Sequence, residues 1–271
     1  MERYSYPVRS RGDSRQTKDA ALAGKALALI ESVALRGNCS IAELSDDHGI
    51  PRSTIYRIVL ALAERGYVLS PERGRYALGP AMLRLSAAVS LDNLLADIGR
   101  PLLKVFARTE RLHAHLGTLD GEMVTYLVRC ASGRHPIAAV EGAQLEPYCS
   151  AIGKVLLAHQ PERQLRDYLK RDDFVALTSR TIVSAVALAA ELCQVRAQGW
   201  AIDDEEIVPG LRCVAVPIFD SAGTICAALS ASGPVERLSI PRLEAARARL
   251  RGTADLISDR AFAQGRRAKS I

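Results

Sequence analysis

Between Ser40 and Gly66 the chain reads as two short helices held a few residues apart, and little else satisfies that stretch. Ser40-Ile-Ala-Glu43 is a capping box that opens a helix running to about His48. Gly49-Ile50-Pro51 interrupts it, and a further helix runs from Arg52 to about Arg65, closed by Gly66 at the C′ position. Upstream, Leu22, Ala26, Leu29, Ile30 and Val33 recur at helical spacing before Gly37. Downstream, Tyr67-Val68-Leu69 and Arg75-Tyr76-Ala77-Leu78 flank the turn residues Ser70 to Gly74, a short β-hairpin. Three helices and a hairpin, with a tight break before the third helix, form a winged helix-turn-helix plan over residues 21–79.

The third helix has two unlike faces. Ile55, Ile58, Val59 and Leu62 form a stripe to be buried, whereas Arg52, Ser53, Tyr56 and Arg57, with Thr54 beside them, face away. Hydroxyls and first-turn N–H groups suit phosphate oxygens, and Arg suits guanine O6/N7. Arg73 and Arg75 flank Gly74 at the hairpin tip, where a wing touches the phosphodiester backbone. From residue 52 to 84 six arginines stand against Glu64 and Glu72. An isolated basic stretch is ordinarily a solvated face; the tri-helical plan turns this one toward double-stranded DNA. Residues 1–20, polar and carrying Arg3, Arg9, Arg11, Arg15 and Lys18, read as a flexible basic arm.

Gly79-Pro80 breaks the chain, and residues 80–90 read as a linker helix. The remainder, 91–265, mixes helices and strands without a βαβ rhythm, so the class is α+β. A helix is expected at about Leu91–Arg108, a hairpin at Asp120-Gly121, helices from Ser150 and from Ser184 to Gly199, strands at Leu211–Phe219 and Thr224–Ser232, and a long helix from Pro241. With 271 residues, 48% of them hydrophobic and 24% charged, the composition is that of a two-domain globular protein. No membrane span or secretory signal is legible, which points to the cytoplasm. The six cysteines are widely spaced with no C-x-x-C pair, as in buried thiols of a reducing compartment. No G-x-S-x-G, P-loop, H-E-x-x-H or dinucleotide fingerprint is present, so the reading is not an enzyme and calls for no cofactor or metal.

A small-molecule site is nevertheless suggested. If the loop Asp220-Ser-Ala-Gly223 makes Phe219 face Thr224, then Cys213 lies opposite Ser230 and Leu211 opposite Ser232, all on one sheet face. A two-residue loop preserves that face, and a bulge is expected to break it. Two hydroxyls and a thiol beside a Leu suit a small polar ligand better than a packed core. Ser150 opens a helix whose N–H groups at Ile152 and Gly153 form an anion site. Asp203 either accepts a hydrogen bond from the ligand or caps backbone. Cys213 is not read as a nucleophile, because no His stands nearby in sequence. His113 and His115 share one face of a strand and read as ordinary polar positions rather than metal ligands.

Ile50-Pro-Arg-Ser-Thr-Ile-Tyr-Arg57, Glu64-Arg-Gly-Tyr-Val68 and Gly74-Arg-Tyr-Ala-Leu-Gly79 resemble the DNA-binding domain of IclR-type bacterial transcriptional regulators. Ser150-Ala-Ile-Gly-Lys-Val-Leu-Leu-Ala158, Gly199-Trp-Ala-Ile-Asp-Asp-Glu-Glu206, Gly210-Leu-Arg-Cys-Val-Ala-Val-Pro217 and Ser230-Ala-Ser-Gly-Pro234 resemble the blocks of that family's effector domain. The resemblance spans about residues 20–262. It implies a winged helix-turn-helix, a linker helix and a GAF-like effector-binding domain, assembled as homodimers or dimers of dimers on pseudopalindromic operator DNA. It places ligand contacts on Ala151, Ile152, Asp203, Leu211, Cys213, Ser230 and Ser232. Tyr56 stands where relatives often carry His, and Ala151 and Ile152 are bulkier than in some of them. The function so implied is a repressor or dual regulator of a catabolic operon, controlled by a small organic acid. The alternative is a small-molecule sensor acting through protein contacts.

Overall fold

The computed structural model describes residues 13–132, 140–171 and 173–262, with side chains described from residue 19. The chain forms two compact units that divide between Val89 and Ser90.

In the first unit, helix α1 spans Asp13–Arg36 and stops at Gly37, whose φ of +73° and N–H bond to Val33 O turn the chain aside. Its start corrects the arm reading for residues 13–20, which are helical; residues 1–12 lie outside the described residues. Leu29 and Val33 are buried, but Leu22 is half exposed and does not belong to the core stripe. Strand β1 (Cys39–Ser40) leads into helix α2 (Ile41–His48). Both halves of the capping box form: Glu43 N–H donates to Ser40 Oγ at 3.2 Å, and Ser40 N–H donates to Glu43 Oε2 at 2.6 Å. The Glu43 carboxyl is held below its ordinary range chiefly by that backbone bond. Gly49, with φ +62°, ends α2, and α3 runs Arg52–Glu64. Ile55, Ile58 and Val59 of α3 pack with Leu29, Leu44 and Val68, and Leu62 lies partly buried at their margin.

Strands β2 (Val68–Glu72) and β3 (Arg75–Leu78) form the wing, and β1 adds to β3 to make a three-stranded antiparallel sheet in the order β1-β3-β2. Gly79 fastens its base: its N–H donates to Tyr67 O, and a Cβ there would stand 2.2 Å from Gly66 O. Helix α4 follows at Ala81–Ala87.

The second unit opens with helix α5 (Leu91–Glu110), capped by Ser90 and containing Pro101. Strands β4 (His113–Asp120) and β5 (Met123–Cys130) form a hairpin whose two-residue loop begins with Gly121 at φ +60°. After β6 (Gln144–Leu145) come helices α6 (Ala151–Ala158), α7 (Glu162–Tyr168) and α8 (Ala185–Gln198). Strands β7 (Ala201–Asp204), β8 (Leu211–Phe219) and β9 (Ile225–Pro234) and helix α9 (Ile240–Phe262) complete it. The six strands form one antiparallel sheet, β6-β5-β4-β9-β8-β7.

Period-2 alternation sorts this sheet into two faces. Leu116, Val214, Val216, Leu229 and Ala231 meet Leu95, Leu103 and Phe106 of α5 and Leu243, Leu250 and Ile257 of α9. On the reverse, the small residues Ala215 and Ala228 let α6 lie close, with Ile152, Val155 and Leu156 against the sheet and Leu188, Leu192 and Val195 of α8 behind. The β8–β9 register differs from expectation by two residues. Cys213 pairs with Ser232 and Leu211 with Pro234, because Phe219 pairs with Ile225 and a bulge beside it leaves Cys226 over. A shift of two preserves side-chain parity, so Leu211, Cys213, Ser230 and Ser232 still share the α6 face. Among the described residues no helix is long and apolar enough to cross a membrane.

Candidate functional site

Two surfaces carry the chemistry. The first is the free side of α3, where Arg52, Ser53, Tyr56 and Arg57 are exposed and Thr54 is half-buried. Tyr56 leaves 49% of its surface to solvent, a large share for a ring one position from the buried Ile55. Pro51 precedes the helix, and no side chain caps its first turn. Thr54 N–H and Ile55 N–H donate to Pro51 O, so the exposed entry offers its remaining amides and positive dipole end to an anion. At the wing tip Arg73 is exposed beside Gly74. Arg75 is otherwise engaged: its guanidinium donates to Asn38 O at 2.8 Å, to Asn38 Oδ1 at 3.3 Å and to Glu43 Oε2 at 3.3 Å. It ties β3 to the start of α2, and the expectation that both arginines reach outward holds in the structure only for Arg73.

The second surface is a cavity of about 500 Å³ on the α6 side of the large sheet. Backbone register lays its polar floor in two rows. Asp203, Cys213, Ser232 and His113 are successive partners across β7, β8, β9 and β4. Ala215, Ser230 and His115 form the next row across β8, β9 and β4, and Arg129 of β5 pairs with His115. Tyr126, Leu145, Ile207, Val208, Pro209 and Leu211 supply the walls. Five expected ligand positions, Asp203, Leu211, Cys213, Ser230 and Ser232, thus line one space.

Ala151 and Ile152 are not among that lining. Both are buried in the apolar cluster, and Ile152 Cδ1 sits 3.1 Å from where a Cβ on Gly117 would project. The expected anion site at the start of α6 is also corrected, since Gly153 N–H donates to Ser150 Oγ at 3.1 Å and that whole helix is buried. Asp203 caps backbone: its Oδ1 accepts from Glu206 N–H at 2.7 Å, and burial pushes its carboxyl above the ordinary range.

His113 and His115, read from the sequence as ordinary polar positions, lie in the cavity beside Tyr126. Only the pairing of β4 with β9, two segments more than a hundred residues apart, brings them there. His115 Nδ1 is 3.4 Å from Ser230 Oγ, and its ring lies 5.0 Å from that of Tyr126, centroid to centroid. Burial, aided by His113 and Arg129, lowers the His115 imidazole to about 3, so it is neutral at physiological pH. Histidines therefore do stand near Cys213 in space, yet burial and Asp203 hold its thiol well above the usual range, and the thiolate a nucleophile requires is disfavoured. Among the described residues no cluster has a metal-binding set of three or more ligands.

Sequence reading also passed over Lys154. It points from α6 into the unit's interior with 1% of its surface exposed, paired with Glu206 and bonded to Ile202 O at 3.2 Å and Glu191 Oε1 at 3.4 Å. Burial outweighs the lysine and raises the Glu206 carboxyl to about 7. The pair locks α6 to the loop after β7, whose residues 207–210 form the cavity rim.

Comparison with known proteins gives the two surfaces their context. The IclR helix-turn-helix domain matches residues 23–70, and the bacterial transcriptional regulator IclR C-terminal domain matches residues 87–259. The Pca regulon regulatory protein of Pseudomonas putida is 37% identical over 225 residues, 81% of this chain and 76% of that protein. The crystal structure of the Thermotoga maritima IclR, 27% identical, covers 89% of this chain and 99% of its own with a TM-score of 0.59. An IclR homologue from Microbacterium hydrocarbonoxydans, solved with 4-hydroxybenzoate, shares the fold at 22% identity and a TM-score of 0.60, over 90% of this chain and all of its own. The chain belongs to the IclR family of bacterial transcriptional regulators, and it is a DNA-binding regulator rather than an enzyme.

Proposed function

We propose that α3 lies in the major groove of a pseudopalindromic operator, with Arg52, Ser53, Thr54, Tyr56 and Arg57 on bases and phosphates and Arg73 on the backbone beside it. A homodimer, or a dimer of dimers, supplies the second half-site, and a small organic acid in the sheet cavity decides whether the complex persists. In this reading the protein works in the cytoplasm as a repressor or dual regulator of a catabolic operon. The observation that carries it is the exposed, uncapped and basic entry of α3, together with an exposed arginine at the wing tip. The acid is supported by the polar floor of the cavity and by the 4-hydroxybenzoate held by the Microbacterium homologue. Asp203, Leu211, Cys213, Ser230 and Ser232 contact the acid, while Ala151 and Ile152 stay buried in the apolar cluster of α6. Effector control requires that the acid bind one dimer geometry better than the other.

Footprinting of the gene's own upstream region, with and without 4-hydroxybenzoate and other carboxylic acids, tests this reading. Protection of a two-fold-related sequence that changes with an acid is the expected result. Absence of any protected sequence favours a sensor that works through protein contacts. Arg57→Ala is expected to cost about 1–3 kcal/mol in operator binding with little loss on random DNA; equal loss on both assigns Arg57 to phosphate.

A further inference from the structure

Among the described residues that line the cavity, one buried side-chain nitrogen has no hydrogen-bond partner. His115 is 3% exposed and lines the cavity, yet its Nε2 has no hydrogen-bond partner among the described residues. Its other nitrogen faces Ser230 Oγ, and Tyr126 holds the ring in place. Among the described residues the lining contains no Lys or Arg, and its fixed charge is Asp203, already committed to Glu206 N–H. The titratable and charged groups that face His115 are His113 on its own strand, Tyr126 and Arg129 from β5, and Asp203 and Cys213 from β7 and β8.

A carboxylate entering this space gives up its water and meets the carboxylate of Asp203, a costly exchange unless a counter-charge arrives with it. We infer that His115 Nε2 receives the effector's carboxylate, and that each acid bound brings one proton from solvent onto that ring. Protonated, the imidazole donates at both nitrogens, Nδ1–H to Ser230 Oγ and Nε2–H to the acid. The charge-assisted bond closes a pair with no net charge inside the cavity. The neutral ring of the ligand-free protein is what makes the uptake a full proton. The inference rests on the cavity being the effector site, and it adds a residue and a proton to that reading.

Calorimetry on the full chain tests it, using benzoate, phenylacetate and short aliphatic monocarboxylates, each beside its primary amide, in phosphate and in Tris at matched pH. Binding of an acid is expected to take up about one proton, read from the difference in heat between the buffers. The complex then holds one more proton than its separated parts, so affinity falls about tenfold per unit as pH rises from about 6 to 8. His115→Gln is expected to abolish both the uptake and the pH slope, whereas His113→Gln keeps them. Acid binding without uptake, uptake that survives His115→Gln, or an amide that binds as tightly as its acid each overturns the inference while leaving the cavity a ligand site. If no acid binds, the organic-acid reading of the cavity falls and takes the inference with it. The buffer comparison needs only the unaltered chain, so acid binding without uptake overturns the inference even where a variant does not fold.

Discussion

Gly153 shows how a missing methyl can set the position of a helix. A Cβ at this residue would stand 2.2 Å from Pro147 Cα and 2.3 Å from Pro147 O, backbone that cannot swing away. Gly153→Ala is therefore expected to lower stability by roughly 3 kcal/mol or more, read as a fall in denaturant midpoint, although Ala is the better helix former. Arg73 and Arg75 make the complementary point, because they flank Gly74 and look equivalent in the sequence. Arg73→Ala is expected to weaken binding to any DNA and leave the melting temperature alone. Arg75→Ala is expected to cost about 1 kcal/mol of stability, through the lost bond to Asn38 O more than through its half-exposed pair with Glu43. What separates the two is β1, a strand of only two residues that no periodicity announces. Leu22 was misleading for a related reason: helical spacing marks a face, and burial depends on what that face meets.

At the level of elements, the parts governed by local chemistry were legible. The capping box at Ser40, the stop at Gly49, the Asp120-Gly121 hairpin, the Ser184 cap and the Gly199 stop all form where residue type demands them. The face shared by Leu211, Cys213, Ser230 and Ser232 is as expected, but the partners are not, and the bulge expected to break it is present. One residue of offset at the turn and one at the bulge add to two, which restores the side. The histidines of the cavity were not legible, because nothing within β4 says that β9 is its neighbour. The buried lysine of α6 was equally hidden, its acidic partners lying far along the chain. Lys154→Met is expected to destabilise the second unit by about 3–5 kcal/mol by stranding Glu206, and adding Glu206→Gln is expected to restore much of the loss. Paired thermal melts of the single and double variants check this.

Across the whole molecule, the chain divides between Val89 and Ser90, so that α4, which follows the break at Gly79-Pro80, belongs with the winged unit, and the sheet packed between helices lies beyond it. In the proposed complex the basic α3 and wing tip bind through counterion release, so operator affinity is expected to fall with a log–log salt slope of about −0.9 for each phosphate neutralised. Filter binding at several salt concentrations measures it, and Arg73→Ala is expected to make the slope about one unit shallower. The proline at the entrance of α3 has a consequence of its own. A serine there would have quenched the opening amides from within, and the domain would have been complete in solitude. Pro51 cannot do so, and in the proposed complex the nucleic acid makes those remaining bonds, so that the partner doubles as a piece of the fold.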